Sequence, residues 1–262
     1  METILSIFVF LFGLCIGSFL NVCIYRMPEG ESVVRPRSRC PGCKHMIPWY
    51  DNIPLLSFIL LGRKCRFCKT KISFQYFIVE LLTGLLLLLL FKFYGVSPEF
   101  FIYSALFACL VVVTFIDMKH KEIPDRLSIP GIFIGIILSF VFPVLHGASS
   151  NVAGLLSSLK GALAGGGSIY ALGVFGYILF RKEAMGFGDV KLMAMIGAFL
   201  GWKLTILTFF LAPFFGSVVG IGLKIKTGDS LIPYGPFLSL ASLAALLLGN
   251  HILSYLFGGY VW

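Results

Sequence analysis

FIYSALFACLVVVTFID at residues 101–117 and GFGDVKLMAMIGAFLG at residues 186–201 decide how this chain folds. Each is an apolar run with a carboxylate at one end: Asp117 closes the first and Asp189 opens the second. A charge in the hydrocarbon region of a bilayer costs several kcal/mol, so ionisable groups at that depth usually line a polar site and often carry function. Two carboxylates at helix ends on one side of a bilayer form a candidate acid/base pair.

The composition extends this reading to the whole chain. Of its 262 residues, 58% are hydrophobic and 13% are charged, about half the charged share of a soluble domain. Apolar stretches of about 20 residues with few charges read as transmembrane helices. Eight are expected, at about 4–25, 74–94, 99–117, 127–146, 152–181, 188–201, 203–223 and 235–257. The expected fold class is an all-α polytopic membrane protein with a small cytoplasmic zinc-ribbon-like insert. Its parts are a first helix at 1–25, the insert at 26–73 and a transmembrane core of about seven helices at 74–262. The first span has Glu2 before it and no small-residue cleavage site, so it reads as a retained helix.

Charge sets the orientation, because cytoplasmic loops carry the excess Lys and Arg. Residues 26–73 hold ten of these: Arg26, Arg35, Arg37, Arg39, Lys44, Arg63, Lys64, Arg66, Lys69 and Lys71. Others cluster at 118–126, 181–191 and 224–234, leaving only Lys92, Lys160 and Lys203 elsewhere. These loops alternate, which places both termini outside and both Asp117 and Asp189 at the cytoplasmic face. The net charge of +9 is thus a topology signal, and no nucleic-acid partner is expected.

The insert carries Cys40-Pro41-Gly42-Cys43 and Cys65-Arg66-Phe67-Cys68. Two CxxC knuckles at this spacing match a four-thiolate zinc site. Zinc accepts four cysteines in a closed tetrahedral shell, which makes the expected role structural. So short a segment buries little core, and a metal would supply its folding energy. Disulfides and free thiols are the competing readings, and a cytoplasmic location argues against disulfides. Gly42 is expected to tighten the first knuckle. His45 reads as a solvated loop residue, and Cys15, Cys23 and Cys109 as small packing residues in apolar spans.

Each aspartate also has a bland reading. Asp117 could pair with Lys119, Lys121 or Arg126, and Asp189 could cap a helix start. Neither accounts for Gly186 and Gly188, which let the backbone approach something closely in a tight turn. Irregular backbone at membrane depth is tolerated where it is protein-buried or lines a wet cavity. Asp125 reads as a cap or a supporting group, and Asn21, Arg26 and Glu80 as further polar groups near the same face. Two carboxylates sharing a site cannot both ionise easily; one keeps a proton while the other acts as a base. Such a pair activates water and protonates a leaving amine. Serine and metalloprotease motifs are absent from the spans.

Several stretches together resemble the bacterial type IV prepilin peptidases, membrane aspartic proteases with a Gly-x-Gly-Asp motif. They are Gly17-Ser18-Phe19-Leu20-Asn21-Val22, Arg26-Met27-Pro28, the CxxC pairs around Asn52-Ile53-Pro54-Leu55, and Ile116-Asp117 through Ile123-Pro124-Asp125. Met185-Gly186-Phe187-Gly188-Asp189-Val190-Lys191-Leu192 and Ile232-Pro233-Tyr234-Gly235-Pro236 complete the set. The resemblance implies cleavage of a basic leader after glycine in prepilin or pseudopilin substrates. It also implies methylation of the new N-terminus with S-adenosylmethionine as donor, in the bacterial inner membrane. By the match, Asp117 and Asp189 are the catalytic pair, with Gly186, Gly188, Asp125 and Lys191 supporting. Asn21, Arg26 and Glu80 are candidates for the methyltransferase site or a cavity wall. Ser73-Phe74-Gln75-Tyr76-Phe77 departs from the Arg-Tyr-Pro sequence of many relatives. No glycine-rich nucleotide fingerprint marks the donor site.

Two other classes stay open on the residues alone. Buried acids beside glycine-broken helices also occur in cation- or proton-coupled transporters, although no inverted repeat matches the insert. A non-catalytic zinc-bearing assembly factor leaves the two acids unexplained.

Overall fold

A computed structural model describes residues 1–181, 186–227 and 233–256. Met185 and Ile232 of the motifs quoted above lie outside the described residues. Among the described residues every regular element is helical, and the only β-type pairings are two isolated bridges in the insert. The chain divides into two compact units, Met1–Val112 and Val113–Trp262, with the boundary inside one helix.

In the first unit, α1 (Glu2–Arg26) packs on α3 (Phe74–Tyr94). Small residues make the contact: a Cβ on Gly17 would stand 2.7 Å from the Glu80 Cα. Membrane helices gain no hydrophobic drive from lipid, so close backbone approach over small residues supplies the packing. Between these helices runs the insert, with a 3-10 turn at Trp49–Asn52 and the short α2 (Leu56–Leu60). Arg26 is 5% exposed, and its guanidinium donates to the backbone carbonyls of Ser32, Pro36 and Arg37 at 3.0, 2.9 and 3.3 Å. Glu80 accepts the Leu55 N–H at 2.8 Å. Asn21 donates to the Tyr76 carbonyl at 3.1 Å. These polar groups therefore fasten the insert and the α1–α3 pair.

α4 (Pro98–His120) leads into the second unit, followed by α5 (Asp125–Val141), a 3-10 turn at Pro143–His146 and α6 (Asn151–Phe180). α7 (Phe187–Thr227) and α8 (Gly235–Leu256) complete the chain. Among the described residues six helices are long and apolar enough to cross a membrane: α1, α3, α4, α6, α7 and α8. α5 has 17 residues and falls short of that length alone.

α7 holds the sixth and seventh expected spans, joined at Gly201, whose backbone (φ 73°, ψ 169°) is not helical. A Cβ on Gly165 of α6 would meet both the Met193 carbonyl oxygen and, at 3.0 Å, the Thr205 Cγ2. Met193 and Thr205 thus lie side by side, whereas residues twelve apart on a continuous helix are about 18 Å apart. The chain reverses at Gly201, and its two limbs pack as separate helices. Only glycine adopts this backbone readily, and a Cβ there would also strike His146 Nδ1 at 2.7 Å and Ser157 Oγ at 2.8 Å. Large apolar side chains such as Phe8 and Phe12 on α1 and Leu163 and Phe175 on α6 are exposed, as lipid-facing surface must be.

Candidate active site and metal centre

The end of α4 places Asp117 in a buried position, 5% exposed. Lys121, with φ 57°, donates its N–H to the Asp117 carbonyl at 2.8 Å and ends the helix. The Asp117 carboxylate has a backbone partner. Its Oδ2 accepts the backbone N–H of Gly235, the first residue of α8, at 2.8 Å. One turn away the same two helices meet again, where the Thr114 hydroxyl donates to Ser239 Oγ at 3.1 Å.

Asp189 is the third residue of α7, so it is not the flanking residue that an N-cap would be. Its N–H donates to the Gly186 carbonyl at 3.1 Å, closing the turn. Gly188 lies against Ile123, whose Cβ would be 3.0 Å from an added Cβ. A side chain at 188 would push the 121–125 segment away from the α7 start.

Asp117 and Asp189 line one cavity of about 330 Å³, together with Lys121, Glu122, Ile123, Asp125, Gly186, Gly188 and Lys191. Burial and then the Asp189 carboxylate push the Tyr234 phenol up to about 12. The residue that opens α8, Gly235, binds Asp117 through its backbone N–H. Sequence reading quoted Tyr234 and Gly235 only within a motif; nothing local marks a backbone N–H as a carboxylate partner.

The expectation for Asp125 is a cap or a supporting group. Pro124 occupies the cap position, and Asp125 is the first residue of α5, with no side-chain cap bond. Its carboxylate takes Lys191 Nζ at 2.7 and 2.8 Å instead. Lys191 also lies 5.1 Å from the Phe187 ring centre. Six of the expected site residues thus meet in the second unit: Asp117, Asp125, Gly186, Gly188, Asp189 and Lys191. Asn21, Arg26 and Glu80 belong to the first unit and make the backbone contacts described above.

The four cysteines form the second cluster. Sγ atoms of Cys40, Cys43, Cys65 and Cys68 all lie within 4.8 Å of one another. The Cys40–Cys68 sulfur distance is 3.7 Å. That is far longer than a disulfide bond and near the roughly 3.8 Å edge of a tetrahedron with zinc–sulfur bonds of about 2.3 Å. The two knuckles repeat one design. Cys40 N–H donates to His45 and Cys65 N–H to Thr70, both at 2.9 Å, while Lys44 and Lys69 take φ 59° and 58°. Gly42 has no left-handed backbone; its role is close packing, since a Cβ would meet Thr70 Oγ1 at 2.9 Å. The Thr70 hydroxyl and backbone hold Cys68 down to about 6, while Cys43 of the same cluster is pushed up to about 11, so the four thiols hold their protons unequally. His45 stacks on Phe67, with ring centres 3.8 Å apart. The donor set fits zinc, and these four residues would hold it.

The fold and its two clusters define a polytopic helical membrane protein with a carboxylate-lined cavity and a four-thiol insert. Residues 11–94 match the model of the bacterial peptidase A24 N-terminal domain, and residues 104–221 match that of the type IV leader peptidase family. A prepilin leader peptidase/N-methyltransferase of Myxococcus xanthus is 41% identical over 223 residues, which is 85% of this chain and 64% of that protein. Proteins of the same description from Stutzerimonas stutzeri and Pseudomonas aeruginosa are each 36% identical, covering 92% of this chain and 89% and 90% of their own. No solved structure gives a significant match. The chain belongs to the type IV leader peptidase family and is a membrane-embedded enzyme of that class.

Proposed function

We propose that this enzyme is an intramembrane aspartic endopeptidase that removes the basic leader of prepilin or pseudopilin substrates after glycine. Its second activity is methylation of the new N-terminus, with S-adenosylmethionine as donor. Asp117 and Asp189 are the reacting carboxylates. The supporting observation is that both line one cavity. One carboxylate removes a proton from water as the oxygen adds to the scissile carbonyl carbon. The other gives its proton to the amide nitrogen as the C–N bond breaks. Gly186 and Gly188 keep the Asp189 turn narrow, and Lys191 with Asp125 forms a charged pair on the cavity wall.

The working topology is a multi-pass inner-membrane protein with cytoplasmic insert and acids and with external termini; the positive-inside distribution supports it. A pilin-type substrate with a basic leader and an apolar helix presents its junction at that face. Residues 26–73 serve as a zinc-bound structural module and 74–262 as the peptidase core. Transport by intramembrane acids is the weaker reading, since both acids lie within the residues that match the peptidase family.

The test is incubation of bilayer-reconstituted protein with a prepilin-like peptide and S-adenosylmethionine, followed by mass measurement. Cleavage after glycine with a methyl added to the new N-terminus is expected. Asp117→Asn and Asp189→Asn should each lower cleavage by at least a thousandfold, on the scale seen when a reacting group is removed, without loss of the folded protein. Full activity in either variant would overturn the assignment.

A further inference from the structure

The two acids are not equivalent in their surroundings. Asp117 is almost wholly buried and receives the N–H of Gly235 at 2.8 Å. That N–H belongs to the first residue of α8, a helix of 22 residues. The opening N–H groups of a helix have no partner within it, and the peptide dipoles place partial positive charge there. A hydrogen bond from such an N–H stabilises a carboxylate more than a carboxylic acid. Asp189 is half-buried; it too lies in the first turn of a helix, but the backbone hydrogen bond it receives comes from Gly186 in its own turn and not from a helix packed against it.

Gly235 also cannot be another residue without disturbing this bond. A Cβ there would stand 2.8 Å from Asp117 Oδ2 and 3.3 Å from its carboxyl carbon. The missing side chain is what lets the carboxylate reach the N–H. The Thr114–Ser239 hydrogen bond holds the same two helices one turn further along, so a side chain at 235 has little room to be absorbed by separation of α4 from α8.

We infer that Gly235 is a positioning residue that keeps Asp117 ionised, so that Asp117 is the base and Asp189 the acid of the pair. This rests on the peptidase reading above. In the reaction, the Asp117 carboxylate takes one proton from water, and the resulting hydroxide oxygen bonds to the amide carbonyl carbon. Asp189 transfers its proton to the amide nitrogen as the C–N bond breaks, leaving an acid and an amine. A proton then passes from Asp117 to Asp189, directly or through the next water, and the starting state returns.

Two measurements test this. The first is the pH profile of kcat/KM for Gly235→Ala on a peptide carrying a basic leader, a glycine and an apolar segment. The acid limb, which reports the base of the free enzyme, should move up by about one pH unit. KM should stay within about threefold, and kcat should fall about tenfold at pH values below the limb and little near neutral pH. Pro236→Ala leaves the Gly235 N–H in place, and its limb should stay where it is in the wild type. A uniform loss across pH in Gly235→Ala, with the limb unmoved, overturns the inference.

The second measurement needs no cleavage and no Gly235 variant. Infrared difference spectra taken as the pH falls from about 8 to about 5 should show a protonated-carboxyl band grow in, which is lost in Asp189→Asn and appears at lower pH in Asp117→Asn, where the charged neighbour is gone. The reverse pattern, or loss of the band in neither variant, overturns the assignment of acid and base. A wild type that shows the band and cleaves nothing would instead reject the peptidase reading.

Discussion

At the residue scale the cavity separates two kinds of carboxylate. Asp117 is buried against a backbone donor, and Asp125 is 56% exposed against an ammonium that is itself 24% exposed. Ion pairs of the second kind contribute about 0–1 kcal/mol. A double-mutant cycle of Asp125→Asn and Lys191→Gln should therefore give a stability coupling below about 1 kcal/mol. Cleavage in each single variant should stay within about tenfold of wild type, in contrast to Asp117→Asn. If Asp125→Asn abolished cleavage and Asp117→Asn did not, the reacting pair would have to be reassigned. In sequence Asp125 reads as a cap or a supporting group, since an acid at a polar-to-apolar boundary is often a cap. It became an ion-pair partner because Lys191, 66 residues away, folds onto it.

At the scale of elements, glycine and cysteine do the shaping. Gly201 reverses α7 in a backbone conformation that costs other residues about 1–3 kcal/mol. Gly201→Ala should lower stability by at least that amount, read as a shifted unfolding midpoint in detergent. An unchanged midpoint would mean that the reversal tolerates a side chain. The insert behaves differently, since its stability should follow its metal. Purified protein should contain about one zinc per chain, as a closed four-cysteine site requires. Cys65→Ser should lose that zinc and expose residues 26–73 to protease while the helical spans stay intact. A metal-free protein with four intact thiols and an equally resistant insert would reject the zinc site. The knuckles were legible because their ligands are three residues apart along the chain. The left-handed Lys44 and Lys69 were not, since lysine gives no local sign of such a backbone.

For the whole molecule, the alternation of basic loops is the ground for orientation. Reporter fusions that end near residue 121 should be active only with a cytoplasmic reporter, and fusions near residue 149 only with an external one. The opposite result would place the acids on the outer face and remove a leader-bearing substrate from reach.

Span count, helical class and the thiol cluster could all be read from pattern, because burial in lipid and metal ligation act on runs and on near neighbours. Asp117 and Asp189 could be singled out in the same way, since a charge at the end of an apolar run is costly wherever the run packs. Their shared cavity could not, nor could the bond from Gly235 to Asp117 across 118 residues. Gly235 also shows why the rest was hidden. Its part depends on the missing side chain and on a backbone N–H, and every residue but proline offers that same N–H. Packing of α4 against the start of α8 is what turns an ordinary peptide group into the partner of a buried carboxylate.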